Sequence, residues 1–231
     1  MRRDESDLFQ LAPTTALPAP AGQIVAALEP LLTEQRRARI GQVVAARSSA
    51  VVAVLDGLID PHNISAVLRS ADAFGVNEVH LIKRPEPFLA APRISQGADR
   101  WVSVVTHDSA EGCVKALRAR GHRIFTASAD GALGPDDLAR EPRPAVVFGN
   151  EHAGVSRELR DLSDGTYAIP MRGFVPSLNV SVAAAITLFS AMHGRSGNLS
   201  DQETLELRAR YCLLSVPEAE AVVAEHIRRH P

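Results

Sequence analysis

The stretch Ala50-Val51-Val52-Ala53-Val54-Leu55-Asp56-Gly57-Leu58-Ile59-Asp60-Pro61-His62-Asn63-Ile64-Ser65-Ala66-Val67-Leu68-Arg69-Ser70-Ala71-Asp72-Ala73-Phe74-Gly75 decides the fold. Its first six residues are apolar without interruption and half valine, which suits a strand buried on both faces of a parallel sheet. A turn follows from Asp56 to His62. Asn63 is expected to cap a helix whose apolar positions Ile64, Val67, Leu68 and Ala71 recur at helical spacing until Gly75 ends it. Val76 to Ile82 then reads as a second strand, completing a βαβ unit.

The same alternation continues outward. Val102–Val105, Arg123–Ala127, Ala145–Phe148 and Thr166–Ile169 read as further strands, and Asp108 with Glu111 as a capping box opening a helix to Arg120. The expected fold class is α/β, a parallel sheet flanked by helices, over residues 50–195. Residues 196–231 read as a C-terminal helical extension, with starts signalled by Ser200 with Glu203 and by Ser215 with Glu218, the latter with Pro217 in its first turn. Residues 22–49 read as an N-terminal helical extension, and residues 1–21, with Pro13, Pro18 and Pro20 among small residues, as a flexible arm.

With 231 residues, 45% hydrophobic content and a net charge of -2, the chain is of ordinary globular composition. Near-neutral charge argues against a protein held to nucleic acid by bulk charge, so any such site must be local. One local imbalance exists. Between Thr33 and Arg47, a helical pattern places Arg36, Arg37, Arg39 and Arg47 around the apolar side of Ile40, Val43 and Val44, with Glu34 the one acid, as in a phosphate-contacting arm. Cys113 and Cys212 lie far apart with no metal-ligand spacing, so neither a metal site nor a disulfide is expected. The N-terminus carries no signal-peptide core. The longest apolar run, Val180 to Met192, falls short of the ~20 residues of a membrane span. A cytoplasmic protein without a membrane partner is expected.

The chemistry-bearing motifs narrow next. No Gly-x-Gly-x-x-Gly follows the first strand, and neither a phosphate-binding Gly-x-x-x-x-Gly-Lys nor a Gly-x-Ser-x-Gly elbow occurs. Three stretches remain, each just beyond the carboxyl end of a strand, where ligands bind in open α/β sheets. The first runs from Asp60 to Gly75. The second is Val147-Phe148-Gly149-Asn150-Glu151-His152-Ala153-Gly154-Val155-Ser156. The third, Ile169-Pro170-Met171-Arg172-Gly173-Phe174-Val175-Pro176-Ser177-Leu178-Asn179, is a loop punctuated by prolines and a glycine. Either Ser177 or Asn179 caps the helix that follows, which is apolar on nearly every side and so suits burial in a core or against another subunit.

Together these stretches resemble, in order and spacing, the three signature motifs of the SPOUT superfamily of RNA methyltransferases, in its SpoU or TrmH branch of ribose 2'-O-methyltransferases. The resemblance covers about Ala50 to His193. The flanking helices further resemble those of the tRNA guanosine-18 2'-O-methyltransferases. The resemblance implies a C-terminal trefoil knot, S-adenosylmethionine as cofactor, an RNA substrate and an obligate homodimer with the helix after Asn179 in its interface. It assigns cofactor contacts to Ala127, Gly149, Ile169, Met171 and Leu178, and catalytic roles to Asn63, Arg69, Glu151, Ser177 and Asn179. Because guanidinium resists deprotonation, Arg69 suits stabilising a developing alkoxide better than acting as a base.

The chain departs from the pattern of these relatives at Asp56-Gly57, where Glu-Asn is common, at Pro176, often polar, and in the proline-rich arm. Two neighbouring functions are a ribosomal RNA ribose methyltransferase and a catalytically silent RNA-binding dimer. Only about 45 residues precede the first core strand, which favours tRNA over the ribosomal enzymes with their added N-terminal domain. Arg69, Glu151, Ser177 and Asn179 together argue against a silent scaffold.

Overall fold

The computed structural model describes residues 16–83 and 100–230. Residues 1–15 of the expected arm therefore lie outside the described residues. The chain forms two compact units, one containing Ser49–Arg195 and the other Thr15–Ser48 with Ser196–Pro231.

The first unit is built on six parallel strands, β1 (Val52–Asp56), β2 (Glu78–Ile82), β3 (Ser103–His107), β4 (Arg123–Ala127), β5 (Pro144–Gly149) and β6 (Gly165–Tyr167), in the order β3-β2-β1-β5-β4-β6. β1 is central and buried throughout, as its unbroken apolar run requires. Its side chains alternate between two cores. Val51, Ala53 and Leu55 face one layer with Ile64, Val67 and Leu68 of α3 (Pro61–Ala73) and Ala184, Leu188 and Ala191 of α7 (Val180–Met192). Val52 and Val54 face the other, with Cys113, Val114 and Leu117 of α4 (Ala110–Ala119) and Leu159 of α6 (Arg157–Asp161). The remaining helix of this unit, α5 (Pro135–Arg140), packs on α7. Arg195 locks that contact: its guanidinium donates to the carbonyls of Leu138 and Ala139 in the last turn of α5, of Glu141 and Pro142 just after it, and of Ala191 of α7.

Three expected helix starts move. Asp60, not Asn63, caps α3: its Oδ1 accepts from His62 N at 2.8 Å, and Pro61 takes the first helical position. Proline there has no N–H to satisfy and a preset φ, so the helix begins early and the Asn63 amide is released for tertiary contacts. Ser109, not Asp108, caps α4, accepting from Gly112 N at 3.1 Å. In the second unit α8 (Asp201–Ser215) runs through Ser215 instead of stopping before it, and α9 (Ala219–Arg229) starts after Glu218, whose φ is 50°. The Ser200–Glu203 capping box of α8 forms as expected.

The second unit also contains α1 (Ala21–Leu28) and α2 (Glu34–Ala46), with α1 packed on α8 and α9 and α2 on α8. Thr33 caps α2, and Arg36, Arg37 and Arg39 are exposed along it. Arg47 is a correction. It is 1% exposed, and its Nε donates to Tyr211 Oη at 3.1 Å, so it is part of this helical core instead of a phosphate contact.

Candidate active site

The carboxyl ends of β4, β5 and β6 open into a cleft of about 760 Å³, within the ~300–1,000 Å³ typical of small-molecule sites. All five expected cofactor positions, Ala127, Gly149, Ile169, Met171 and Leu178, line it, as do Glu151, Ser177 and Asn179. The location follows from the topology, since β5 sits between β1 and β4 where the strand order reverses.

Two features suit this cleft to a ligand held by main-chain groups. Gly149 ends β5 where a Cβ would lie 2.1 Å from Val155 N and 2.2 Å from the Gly154 carbonyl carbon, so only glycine lets the chain fold back on itself there. The loop over residues 170–178 makes no backbone hydrogen bond to the described residues. Main-chain donors and acceptors must find partners, and Pro170, Met171 and residues 175–178 of this row line the cleft. Apolar lining with convergent backbone groups fits S-adenosylmethionine, an amphipathic adenine–amino-acid molecule. Of the loop, Met171, Phe174 and Val175 are exposed.

The catalytic candidates divide. Asn63 is buried in the first turn of α3, and its Nδ2 donates to Glu151 Oε1 at 2.7 Å. Its Oδ1 accepts from Asn179 Nδ2 at 3.1 Å. Asn179 in turn accepts from Ser181 N at 2.8 Å as the cap of α7. One amide from each of two motifs and the carboxylate of the third thus form a single chain, and each partner fixes the rotamer of the next. Ser177 is exposed on the cleft wall outside this chain. Arg69 is exposed on α3 and is not among the residues lining the cleft.

Two supporting residues escaped the sequence reading. Asn150 Oδ1 accepts from His152 N at 2.9 Å and Ala153 N at 3.0 Å, while its Nδ2 donates to Gly57 O at 3.0 Å. Asp56 Oδ2 accepts from Ser156 N at 2.6 Å. These bonds tie the turn bearing Glu151 to the end of β1. The available signal was asparagine just after a strand-ending glycine, a turn-forming placement.

Comparison with known proteins agrees with this geometry. The SpoU rRNA Methylase family matches residues 50–189, the span of the sheet and all three motifs. The fold and cleft thus define an α/β methylase scaffold, and the chain belongs to the SpoU methylase family. Among its relatives is the tRNA (guanosine(18)-2'-O)-methyltransferase of Thermus thermophilus, 38% identical over 75% of this chain and 91% of that one. The Escherichia coli enzyme of the same name is 34% identical over 69% of this chain and 70% of its own. Among solved structures, the A. aeolicus TrmH/SpoU tRNA modifying enzyme superposes with a TM-score of 0.71 at 28% identity, covering 80% of this chain and 98% of that one. The AviRb methyltransferase of Streptomyces viridochromogenes, solved with AdoMet, has a TM-score of 0.55 at 26% identity over 68% of this chain and 62% of its own.

Proposed function

We propose that the protein transfers a methyl group from S-adenosylmethionine to a ribose 2'-hydroxyl of RNA, and that its target is guanosine 18 in the D-loop of tRNA. The carrying observation is the Glu151–Asn63–Asn179 chain at the wall of a cleft with an unpaired main-chain rim, in a member of the SpoU methylase family. The choice of tRNA rests on the relatives. The match extends over 91% of the Thermus tRNA enzyme, against 64% of a Xanthomonas campestris 23S rRNA enzyme at 36% identity.

S-adenosylmethionine bound in the cleft supplies a methyl group on a good leaving sulfur. Ala127, Gly149, Ile169, Met171 and Leu178 hold it. Positioning of the ribose hydroxyl accounts for much of the rate, aided by removal of its proton. The amide chain from Glu151 through Asn63 to Asn179 keeps the two halves of the site in register, with Ser177 beside it. Arg69 stabilises the negative charge that develops on the ribose oxygen.

The protein acts as a homodimer. One side of α7 belongs to the core, while Val182, Ile186 and Phe189 on its other side are exposed apolar residues that a second copy covers. Arg69 is carried on α3, the helix that packs against α7. Arg36, Arg37 and Arg39 hold RNA phosphates from the helical extensions that flank the 50–195 methyltransferase domain. A C-terminal trefoil knot, formed where the second and third motifs lie, completes this reading and rests on membership of the SpoU methylase family. The enzyme works in the cytoplasm, where its tRNA is found; no helix among the described residues is long and apolar enough to cross a membrane.

The test is to incubate the protein and labelled cofactor with a tRNA transcript and with a ribosomal RNA fragment, and to map methylated nucleosides by mass spectrometry. Ribose methylation of guanosine 18 is expected. Methylation of a base overturns the ribose chemistry, and transfer confined to ribosomal RNA overturns the tRNA assignment.

A further inference from the structure

At the other end of the sheet from the cleft, β2, β3 and α4 bring together three side chains that the reaction above does not use. His80 and Cys113 are buried, and His107 is half-buried at the end of β3. His80 Nδ1 lies 2.8 Å from His107 Nε2, and one ring nitrogen of each histidine and Cys113 Sγ all fall within 4.8 Å of one another. A buried imidazole is costly unless it serves a partner or a ligand.

We propose that His80, His107 and Cys113 form a site for a divalent transition-metal ion of the zinc type. Four observations point to this ion class. The donor set is two imidazole nitrogens and one sulfur, which suits zinc or cobalt and excludes magnesium and calcium, which need oxygen. Zinc bonds of ~2.0–2.1 Å to nitrogen and ~2.3 Å to sulfur, set tetrahedrally, place donor atoms about 3.3–3.6 Å apart. The observed cluster brackets that spacing, so closure on an ion needs only side-chain rotations of about an ångström. The other nitrogen of His80 already faces a carboxylate, Nε2 lying 3.5 Å from Glu78 Oε2, and Glu78 is held by Arg120 Nη1 at 2.5 Å. A metal-bound histidine characteristically presents its second nitrogen to such a carboxylate, which fixes the tautomer and aims the lone pair of Nδ1 at the ion. Finally, half-exposed His107 leaves an approach from solvent for entry and for a water as fourth ligand. The ion ties edge strand β3 to its neighbour β2 and to α4, a structural role at a distance from β4, β5 and β6. The expectation of no metal arose because the donors lie on separate elements, with 27 positions between the two histidines, outside any short motif.

The test uses the full chain, stripped with chelator and titrated with cobalt(II), whose absorption reports both tetrahedral geometry and thiolate ligation. Expected are visible bands and a near-ultraviolet thiolate-to-cobalt band that saturate at one equivalent per chain and are bleached by zinc. Cys212→Ser keeps the charge-transfer band and Cys113→Ser loses it. His107→Ala, at a half-exposed strand end, weakens cobalt binding at least ~10-fold, while a cooperative melting curve certifies its fold. Zinc raises the melting temperature of the wild type and leaves that of His107→Ala unchanged. Absence of the charge-transfer band in the folded wild type overturns the site and leaves a plain His80–His107 hydrogen bond. Persistence of the band in Cys113→Ser overturns it equally.

Discussion

Removing the side chain of Asn63 tests the amide chain most directly. Asn63→Ala deletes the 2.7 Å bond to Glu151 and the 3.1 Å bond from Asn179 at a position only 8% exposed. A bond to a charged group contributes about 1.5–3 kcal/mol and a neutral one about 0.5–1.5 kcal/mol. Glu151 and Asn179 are exposed, so water replaces part of what they lose. The net cost is about 2 kcal/mol, or a fall in melting temperature of roughly 4–8 °C for a chain of this size. A double-mutant cycle with Glu151→Ala, followed by denaturant unfolding, isolates the pair and should return a coupling of about 1 kcal/mol. In the methyl-transfer assay the single variant should lose roughly 100-fold in kcat through misplacement, while calorimetry finds cofactor affinity within about threefold, because Asn63 does not line the cleft. Additivity of the two substitutions within about 0.3 kcal/mol, together with unchanged kcat, would refute the chain as a working unit.

Gly149→Ala should cost at least ~3 kcal/mol in unfolding experiments and abolish cofactor binding, since its Cβ would meet backbone at 2.1 Å; Gly173→Ala, with nothing within 4 Å, should stay within about 0.5 kcal/mol. Burial, then the charges of Arg143 and Arg120, holds His122 down at about 4 from 6.5. The unfolded imidazole binds its proton below 6.5 and the folded one only near 4, so stability is full above pH 6.5 and falls by about 3 kcal/mol towards pH 4. His122→Asn should flatten that limb of a pH-dependent melting series. Arg36, Arg37 and Arg39 changed together to alanine should weaken tRNA binding and lower its salt slope by up to about one per arginine, whereas Arg47→Ala should lower the melting temperature and leave the slope alone.

The parallel sheet was legible because strands covered on both sides carry unbroken apolar runs, and Val52–Leu55 and Ala145–Phe148 are such runs. Helix α7 was legible in type, but the division of its two faces was not. Its apolar composition hides that Ala184 and Leu188 meet the sheet while Ile186 and Phe189 remain exposed in the single chain. The cap of α3 slipped by three residues because Pro61 outweighs Asn63 as a start signal. α5 was missed at six residues, too short to show a period. Arg47 was misplaced because helical spacing does not distinguish an arginine facing water from one facing the Tyr211 hydroxyl. Asn63, Glu151 and Asn179 could be named from motif resemblance, but their hydrogen bonds span 88 and 116 positions and could not be read from local pattern.

The anchoring of Arg195 on the carbonyls at the C-terminal end of α5 has a consequence for biosynthesis. The apolar face of α3 is complete by Ala73, and β1 and β2 cover part of it, yet the rest of its cover comes from α7, which Arg195 clasps to α5. At ~5–20 residues per second, translation of the intervening stretch of about 120 residues takes roughly 6–24 s. For that interval the β1–α3–β2 unit can bury Val67 and Leu68 only against Val51, Ala53, Leu55 and Val79, so the side of α3 that α7 will cover stays open to holding chaperones until the final clasp is synthesised.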